Sequence, residues 1–186
     1  PEYDIDNINF VCFTNTPYLK SKTWDIRLVD IKGNGRLTAR KYKMLPHHYL
    51  TEYDGWVWMD NSCLFRYDPI DLFNFYMNGY DICLHEHCDR INIQQEADIL
   101  ISRGHDAEII SKQIEGYYSE GYQDQGLYET GILMRRNNSK VIEFNERWWN
   151  EINTKSVRDQ LSFSYIKWLC KDVKINGIKE TFVAHN

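Results

Sequence analysis

Three observations predict an α/β protein built on a mostly parallel sheet. Short apolar runs alternate along the chain with amphipathic segments long enough to be helices, the pattern of layered strand–helix–strand folds. One run, Gly55-Trp56-Val57-Trp58-Met59, is too short for a helix and too continuously apolar for a half-exposed strand, so it reads as a strand covered on both faces. The 186 residues suffice for one domain with a sizeable core, so residues 1–186 are read as a single domain.

The elements follow in order. Ile8 to Phe13 is an apolar run ending in Thr14-Asn15-Thr16-Pro17, a first strand and its turn. Trp24 to Ile31 alternates apolar and charged residues, as a strand with one wet face does, and Lys32-Gly33-Asn34-Gly35 is a turn. Leu37 to Leu45 fits a basic helix stopped by Pro46. After the buried strand, Asp68-Pro69 supplies an N-cap and a first-turn proline for a helix through about Met77. Tyr80 to Leu84 is a strand, and Gln94 to Ser102 and Ala107 to Ser119 are helices. Thr130 to Met134 is a strand, followed by helices over Lys140 to Ile152 and Arg158 to Cys170 and a final strand over Val173 to Ile175.

Composition narrows the function classes. An apolar fraction of 42% fits a globular core. The net charge of -5 argues against a nucleic-acid groove. The 13 Tyr and 6 Trp suit stacking on sugars or nucleobases, although most belong in a core. No apolar stretch is long enough to cross a bilayer, and no signal peptide is visible. Five cysteines, an odd number set mostly in apolar runs, fit free thiols in a reducing compartment, so a cytoplasmic or cytosol-facing site is expected. His85 and His87 alternate onto one strand face away from Cys88, which argues against a structural zinc site there. Because the chain begins at Pro1, it is expected to be a domain excised from something longer.

Candidate chemistry gathers at strand ends, where ligands bind in open α/β sheets. Asp60, with Asn61 and Ser62, closes the buried strand and can face a ligand or metal. Arg36, Arg40 and Lys43 share a helix face that can grip phosphates, with Lys41 and His47 nearby; a solvated helix face would look the same. His85-Glu86-His87-Cys88-Asp89-Arg90 follows a strand and is dense in groups that ligate metals or move protons. Glu129 precedes a strand between two glycines and can bind an acceptor hydroxyl or simply belong to a turn. Ser156 and Asp159 fit a capping box, yet Arg158-Asp159-Gln160 also sets three polar groups at the mouth of an apolar helix. Neither a Gly-x-Gly-x-x-Gly turn nor a Gly-x-x-x-x-Gly-Lys-Ser/Thr loop occurs, so any nucleotide must be held by other means.

Taken in order, these clusters resemble a known family. Phe13-Thr14-Asn15 is followed by Arg36-x3-Arg40-x2-Lys43-x2-Pro46-His47, then Trp58-Met59-Asp60, His85-x4-Arg90, Glu96-Ala97 and Glu129-Thr130-Gly131. Trp148-Trp149-x-Glu151 and Arg158-Asp159-Gln160-Leu161-Ser162-Phe163 complete the series. The chain is similar over nearly its whole length to the TOD/MUCI glycosyltransferase-like domain, found in plant mucilage-related, bacterial and viral proteins. The resemblance implies a single GT-A-like, Rossmann-type domain with a mixed, mostly parallel central sheet flanked by helices. It implies transfer of a sugar from a nucleotide diphosphate donor to a hydroxyl of a glycan or glycoconjugate.

By the same resemblance, Phe13, Thr14 and Asn15 bind the base, and Arg36, Arg40, Lys43, Asn61, His85, Arg90 and Arg158 join Asp60 around the donor. Asp159, Gln160 and Glu129 are the implied catalytic residues, with Asp159 or Glu129 as base if the enzyme inverts and Gln160 on the sugar face if it retains. Mn2+ or Mg2+ would sit on Asp60, with His185 as a further ligand; Ser62 stands where a second Asp would be expected, which puts the metal in question. Without a metal, Arg40, Lys43 and Arg90 would neutralise the leaving diphosphate. Two other readings stay open: a sugar- or nucleotide-binding module with a decayed metal site, and a carboxylate-pair glycosidase using Asp60, Glu129 or Asp159.

Overall fold

The computed structural model describes residues 8–31 and 33–180, with the backbone alone of 183–185. Lys32 of the expected turn and the side chain of His185 lie outside the described residues. The chain begins with β1 (Phe10–Thr14) and β2 (Trp24–Leu28), which pair in parallel as a small separate sheet. Helix α1 (Gly35–Met44) and a 3-10 turn at Pro46–His48 lead to β3 (Gly55–Met59) and β4 (Cys63–Phe65). Next come α2 (Pro69–Tyr76), β5 (Ile82–Glu86), α3 (Ile93–Ser102), α4 (Ala107–Ser119) and β6 (Tyr128–Arg136). The chain continues through α5 (Ser139–Thr154), α6 (Asp159–Leu169), β7 (Ile175–Ile178) and β8 (Val183–His185).

Side-chain caps set the helix starts. Asn34, Asp68, Asn92, Asp106 and Asn138 each accept an amide hydrogen bond from the first turn of α1 to α5. Helix α6 is the exception, since its N-cap is Arg158 and no side chain caps it. The expected capping box does not form, because Ser156 is drawn away to Gln113, its hydroxyl 2.5 Å from Oε1.

The central sheet has the order β3-β6-β5-β7. It is mixed, as expected, but it is not mostly parallel. β6 runs antiparallel to both β3 and β5, and only β5 and β7 are parallel. The reason is topological. A strand–helix–strand crossover fixes the relative direction of two strands, not their adjacency. β3 and β5 do share a direction, and β6 enters between them running the other way.

The expected final strand over Val173 to Ile175 begins later, at Ile175, with Val173 buried in the preceding turn. β2 stops at Leu28, short of Ile31. The short pair β4 and β8 carries little alternation and was not anticipated.

The sheet separates two apolar cores. On one face Trp56, Ile82, Leu84 and Leu133 meet Met44, Leu100, Tyr117, Phe144, Trp148 and Phe163 from α1 and α3 to α6. On the other, Cys83, Ile132 and Met134 meet Leu72 and Met77 around α2. Strand alternation explains the split, since neighbours such as Ile82 and Cys83 or Leu133 and Met134 point to opposite faces.

Gly55 shows how closely β3 is packed. A Cβ there would stand 2.7 Å from Phe73 Cζ and 2.8 Å from the Arg135 carbonyl oxygen. Gly55→Ala is therefore expected to lower unfolding free energy by about 1–3 kcal/mol, the usual cost of overpacking a core. Urea titration should show an earlier midpoint with an unchanged slope.

Candidate functional site

An irregularity in β6 builds the site. Leu84 pairs with Leu133, but the next residue, His85, pairs with Glu129, so β6 holds extra residues at this point. Thr130 and Ile132 would share a face in a regular strand. Here Thr130 reaches Asp159 while Ile132 packs in the α2 core. The segment Glu129-Thr130-Gly131 consequently touches three regions distant in sequence. Glu129 Oε1 lies 3.5 Å from Cys88 Sγ, which follows β5. Thr130 Oγ1 donates to Asp159 Oδ2 at 2.9 Å. The Gly131 carbonyl accepts the Asp60 amide at 2.8 Å, and a Cβ on Gly131 would stand 3.7 Å from Asp60 Oδ2.

Asp159 is the centre of the cluster. It opens α6 with its side chain only 5% exposed. Its Oδ2 receives Lys43 Nζ at 2.6 Å and lies 3.1 Å from Arg40 Nε, an ion pair without hydrogen-bond alignment. Its backbone carbonyl accepts Trp148 Nε1 at 3.2 Å. Burial would raise the pKa of this carboxyl, but Lys43, Arg40 and the Thr130 hydrogen bond outweigh burial and hold it at about 2. Lys43 is wholly buried; burial lowers its pKa, and Asp159 and Asp60 pull it back up.

Cations surround this pair. Arg158 directly precedes Asp159 as the N-cap of α6; burial lowers its guanidinium pKa, Asp159 and Glu96 raise it, and Arg36 and Arg40 lower it again. Arg90 Nε lies 2.6 Å from Glu96 Oε2, itself buried. Asp60 Oδ1 accepts Trp58 Nε1 at 2.7 Å. Gln160 follows Asp159, half-buried, in the first turn of α6.

The remaining expected site residues are less closely joined to the cluster. Phe13 stacks on Tyr42 with ring centroids 4.5 Å apart, so its ring already lies in an aromatic contact. Thr14 Oγ1 accepts the Thr16 amide, while Asn15 and Asn61 are exposed. His85 is buried at the end of β5, opposite Glu129. His185 pairs with Cys63 through its backbone on β8, and the expected ligand role concerns a side chain outside the described residues.

The sequence motifs included Thr130 and Glu96 but gave them no contact with Asp159 or Arg90, and Arg135, which holds the carbonyls of Lys43 and Met44, was missed altogether. The one available signal was a polar residue inside an otherwise apolar segment. His87 and Cys88 were placed on opposite strand faces, but β5 ends at Glu86 and the following loop brings both beside Glu129. His47, expected only near the basic helix, follows α1 and faces Glu146 on α5, at 2.9 Å.

Three comparisons bear on these residues. A family model for the TOD1/MUCI70, glycosyltransferase-like domain matches residues 23–182. No match was found among curated proteins or among solved structures.

Asp159→Asn removes the charge that compensates Lys43. A loss of about 3–5 kcal/mol in unfolding free energy is expected, the cost of a buried charge left unpaired. The folded pKa of Asp159 lies below the unfolded value of about 3.9, so its contribution is present above about pH 4 and is lost as pH falls toward 2. Unfolding free energies measured between pH 2 and 6 should show that acid-limb decline in the parent chain, and a shallower one in Asp159→Asn.

Proposed function

Because the chain belongs to the TOD1/MUCI70 glycosyltransferase-like domain family, we propose that it transfers a sugar from a nucleotide diphosphate donor to a hydroxyl of a glycan or glycoconjugate. The observation that carries this reading is the convergence on one strand irregularity. Glu129, Thr130 and Gly131 join Cys88, Asp159 and Asp60, with Arg40 paired to Asp159 and Arg158 directly before it in the chain. Sugar transfer needs cations for the leaving diphosphate, a fixed donor and a base for the attacking hydroxyl.

Each requirement has a candidate. Arg40 and Arg158 beside Asp159, with Arg36 one turn before Arg40 on α1, would supply the anion-binding rim, and arginine can grip two phosphate oxygens at once. Lys43 is wholly buried against Asp159, so it acts as a positioning residue that ties α1 to α6, while Asp159 also holds Arg40. Asp159 is ionised but occupied by Lys43 and Thr130, which makes it a poor proton acceptor. Glu129, half-buried at the edge of the cluster, is the better base. Asp60 keeps one oxygen on Trp58 and turns the other toward Gly131. One carboxylate together with substrate phosphates is a common way to hold Mg2+ or Mn2+, so Asp60 fits such an ion without a second Asp at Ser62. When bound, the ion would neutralise charge on the diphosphate. The mixed sheet flanked by helices supports a GT-A-like arrangement, and the free cysteines suit a reducing, cytosolic setting.

The test is a thermal-shift panel of nucleotide diphosphates and nucleotide sugars, each with and without Mn2+, followed by transfer assays. A donor that binds the folded chain must raise its melting temperature. One nucleotide is expected to do so in the parent chain and to lose its effect in Arg158→Ala. Glu129→Gln should keep the shift but slow transfer by about 100-fold or more, the scale of general-base catalysis. No shift with any nucleotide, together with cleavage of a glycan in its absence, would replace this reading with the hydrolase.

A further inference from the structure

Outside the Asp159 cluster, a second group of side chains converges where α1 ends against α5. We propose that His47, His48 and Glu146 form a binding site for one divalent transition-metal ion, with Zn2+ the best match. His47 Nε2 lies 2.9 Å from Glu146 Oε1, and His48 Nε2 lies 2.7 Å from the same oxygen. The three potential ligand atoms all lie within 4.8 Å of one another. In a tetrahedral zinc site with bonds near 2.0–2.1 Å, ligand atoms sit about 3.3 Å apart. An ion entering this group therefore needs shifts of only a few tenths of an ångström between the carboxylate and each imidazole. Two imidazoles and one carboxylate form a common zinc donor set, and imidazole ligands favour zinc over magnesium or calcium.

The fold holds both halves of the group from one point. The 3-10 turn at Pro46–His48 follows directly on α1, and Pro46 at its start restricts the backbone. Arg135, buried in β6, donates to the carbonyls of Lys43 and Met44 just before that turn. The same guanidinium donates to Asn145 Oδ1 at 2.9 Å, and Asn145 directly precedes Glu146 on α5. Arg135 is also the cation that opposes an incoming ion, and the Glu146 carboxylate is the charge that offsets it.

Access is one-sided. The His47 side chain is 8% exposed, whereas those of His48 and Glu146 are 46% and 44% exposed. Solvent can therefore reach the group and supply a fourth ligand. A bound ion would fasten the end of α1 to α5, the two helices that carry Lys43 and Trp148 to Asp159.

His87, Cys88 and Glu129 also cluster, but both ring nitrogens of His87 are engaged. Nδ1 accepts the amides of Asp89 and Arg90, and Nε2 lies 2.5 Å from an Arg90 nitrogen. That leaves His87 without a nitrogen to offer a metal.

The experiment is calorimetric titration of the whole chain with Zn2+ alone, repeated on His48→Ala, Glu146→Gln and Cys88→Ser. His48 and Glu146 are both partly open to solvent, so these variants should fold, and melting curves without metal verify it. The expected result is that His48→Ala and Glu146→Gln each bind one equivalent fewer than the parent, or bind it at least tenfold more weakly. Even outer-shell partners of a metal contribute about that much. Cys88→Ser should keep that equivalent. Absence of Zn2+ binding by the parent overturns the proposal. So does binding that survives both His48→Ala and Glu146→Gln, or binding lost only in Cys88→Ser.

Discussion

Burying Asp159 is costly unless its charge is matched, and the elements around the site are arranged to match it. Removing a carboxylate from water costs several kcal/mol, and the same holds for the Lys43 ammonium. The pair is tolerated because each charge meets the other at 2.6 Å and because Thr130 and Arg40 approach the same oxygen. That requirement fixes positions. Lys43 and Arg40 lie one helical turn apart on α1, Thr130 lies in β6, and Trp148 of α5 holds the Asp159 carbonyl. Three elements, α1, β6 and α6, thus have to meet at one carboxylate, while α5 holds the backbone beside it. Replacing such a pair by apolar residues is often no loss of stability. The pair is therefore better understood as specifying an arrangement than as the main source of stability.

Arg135 repeats the logic on a smaller scale. Its guanidinium is buried, which pulls its pKa down to about 9 but leaves it charged at neutral pH. It faces the last carbonyls of α1, at Lys43 and Met44, where the helix dipole is negative. The cation holds the end of the helix that delivers Lys43 to Asp159. Through Asn145 it also sets the turn of α5 that carries Glu146 toward His47 and His48. One buried arginine in β6 therefore links the two clusters through the frame they share.

Much of this was legible from local pattern. The β3 run, the Asp68-Pro69 start of α2 and the helices at Ala107–Ser119 and over 140–152 fall where periodicity and caps put them. The clusters holding Asp60, Glu129 and Asp159 were also visible, because carboxylates at the ends of apolar runs stand out. What pattern did not carry was adjacency. Nothing local tells β6 to enter between β3 and β5 in the opposite direction, and so the sheet is less parallel than the alternation of elements suggests. The irregularity beside Thr130 was likewise hidden, because it depends on pairing between strands separated by α3 and α4. Lys43 read as a phosphate ligand on an exposed face, and only the packing of α1 on α5 and α6 shows that it is buried. The partner of His47 was hidden for a related reason: the 3-10 turn after α1 aims it at Glu146 on α5, a contact no local pattern announces.

We infer that the Lys43–Asp159 pair holds the proposed anion-binding site in place. The most direct measurement compares the double variant Lys43→Met/Asp159→Leu with the parent in two respects, unfolding free energy and calorimetric affinity for a nucleoside diphosphate. With both charges removed together, the wholly buried Lys43 no longer stands without a partner, so the double variant should be more stable than Asp159→Leu alone, with Arg40 the one cation left without its carboxylate. Affinity should not return, because Arg40 and the start of α6 have lost the carboxylate that positions them. A double variant that is stable and binds the nucleotide as tightly as the parent would contradict the account.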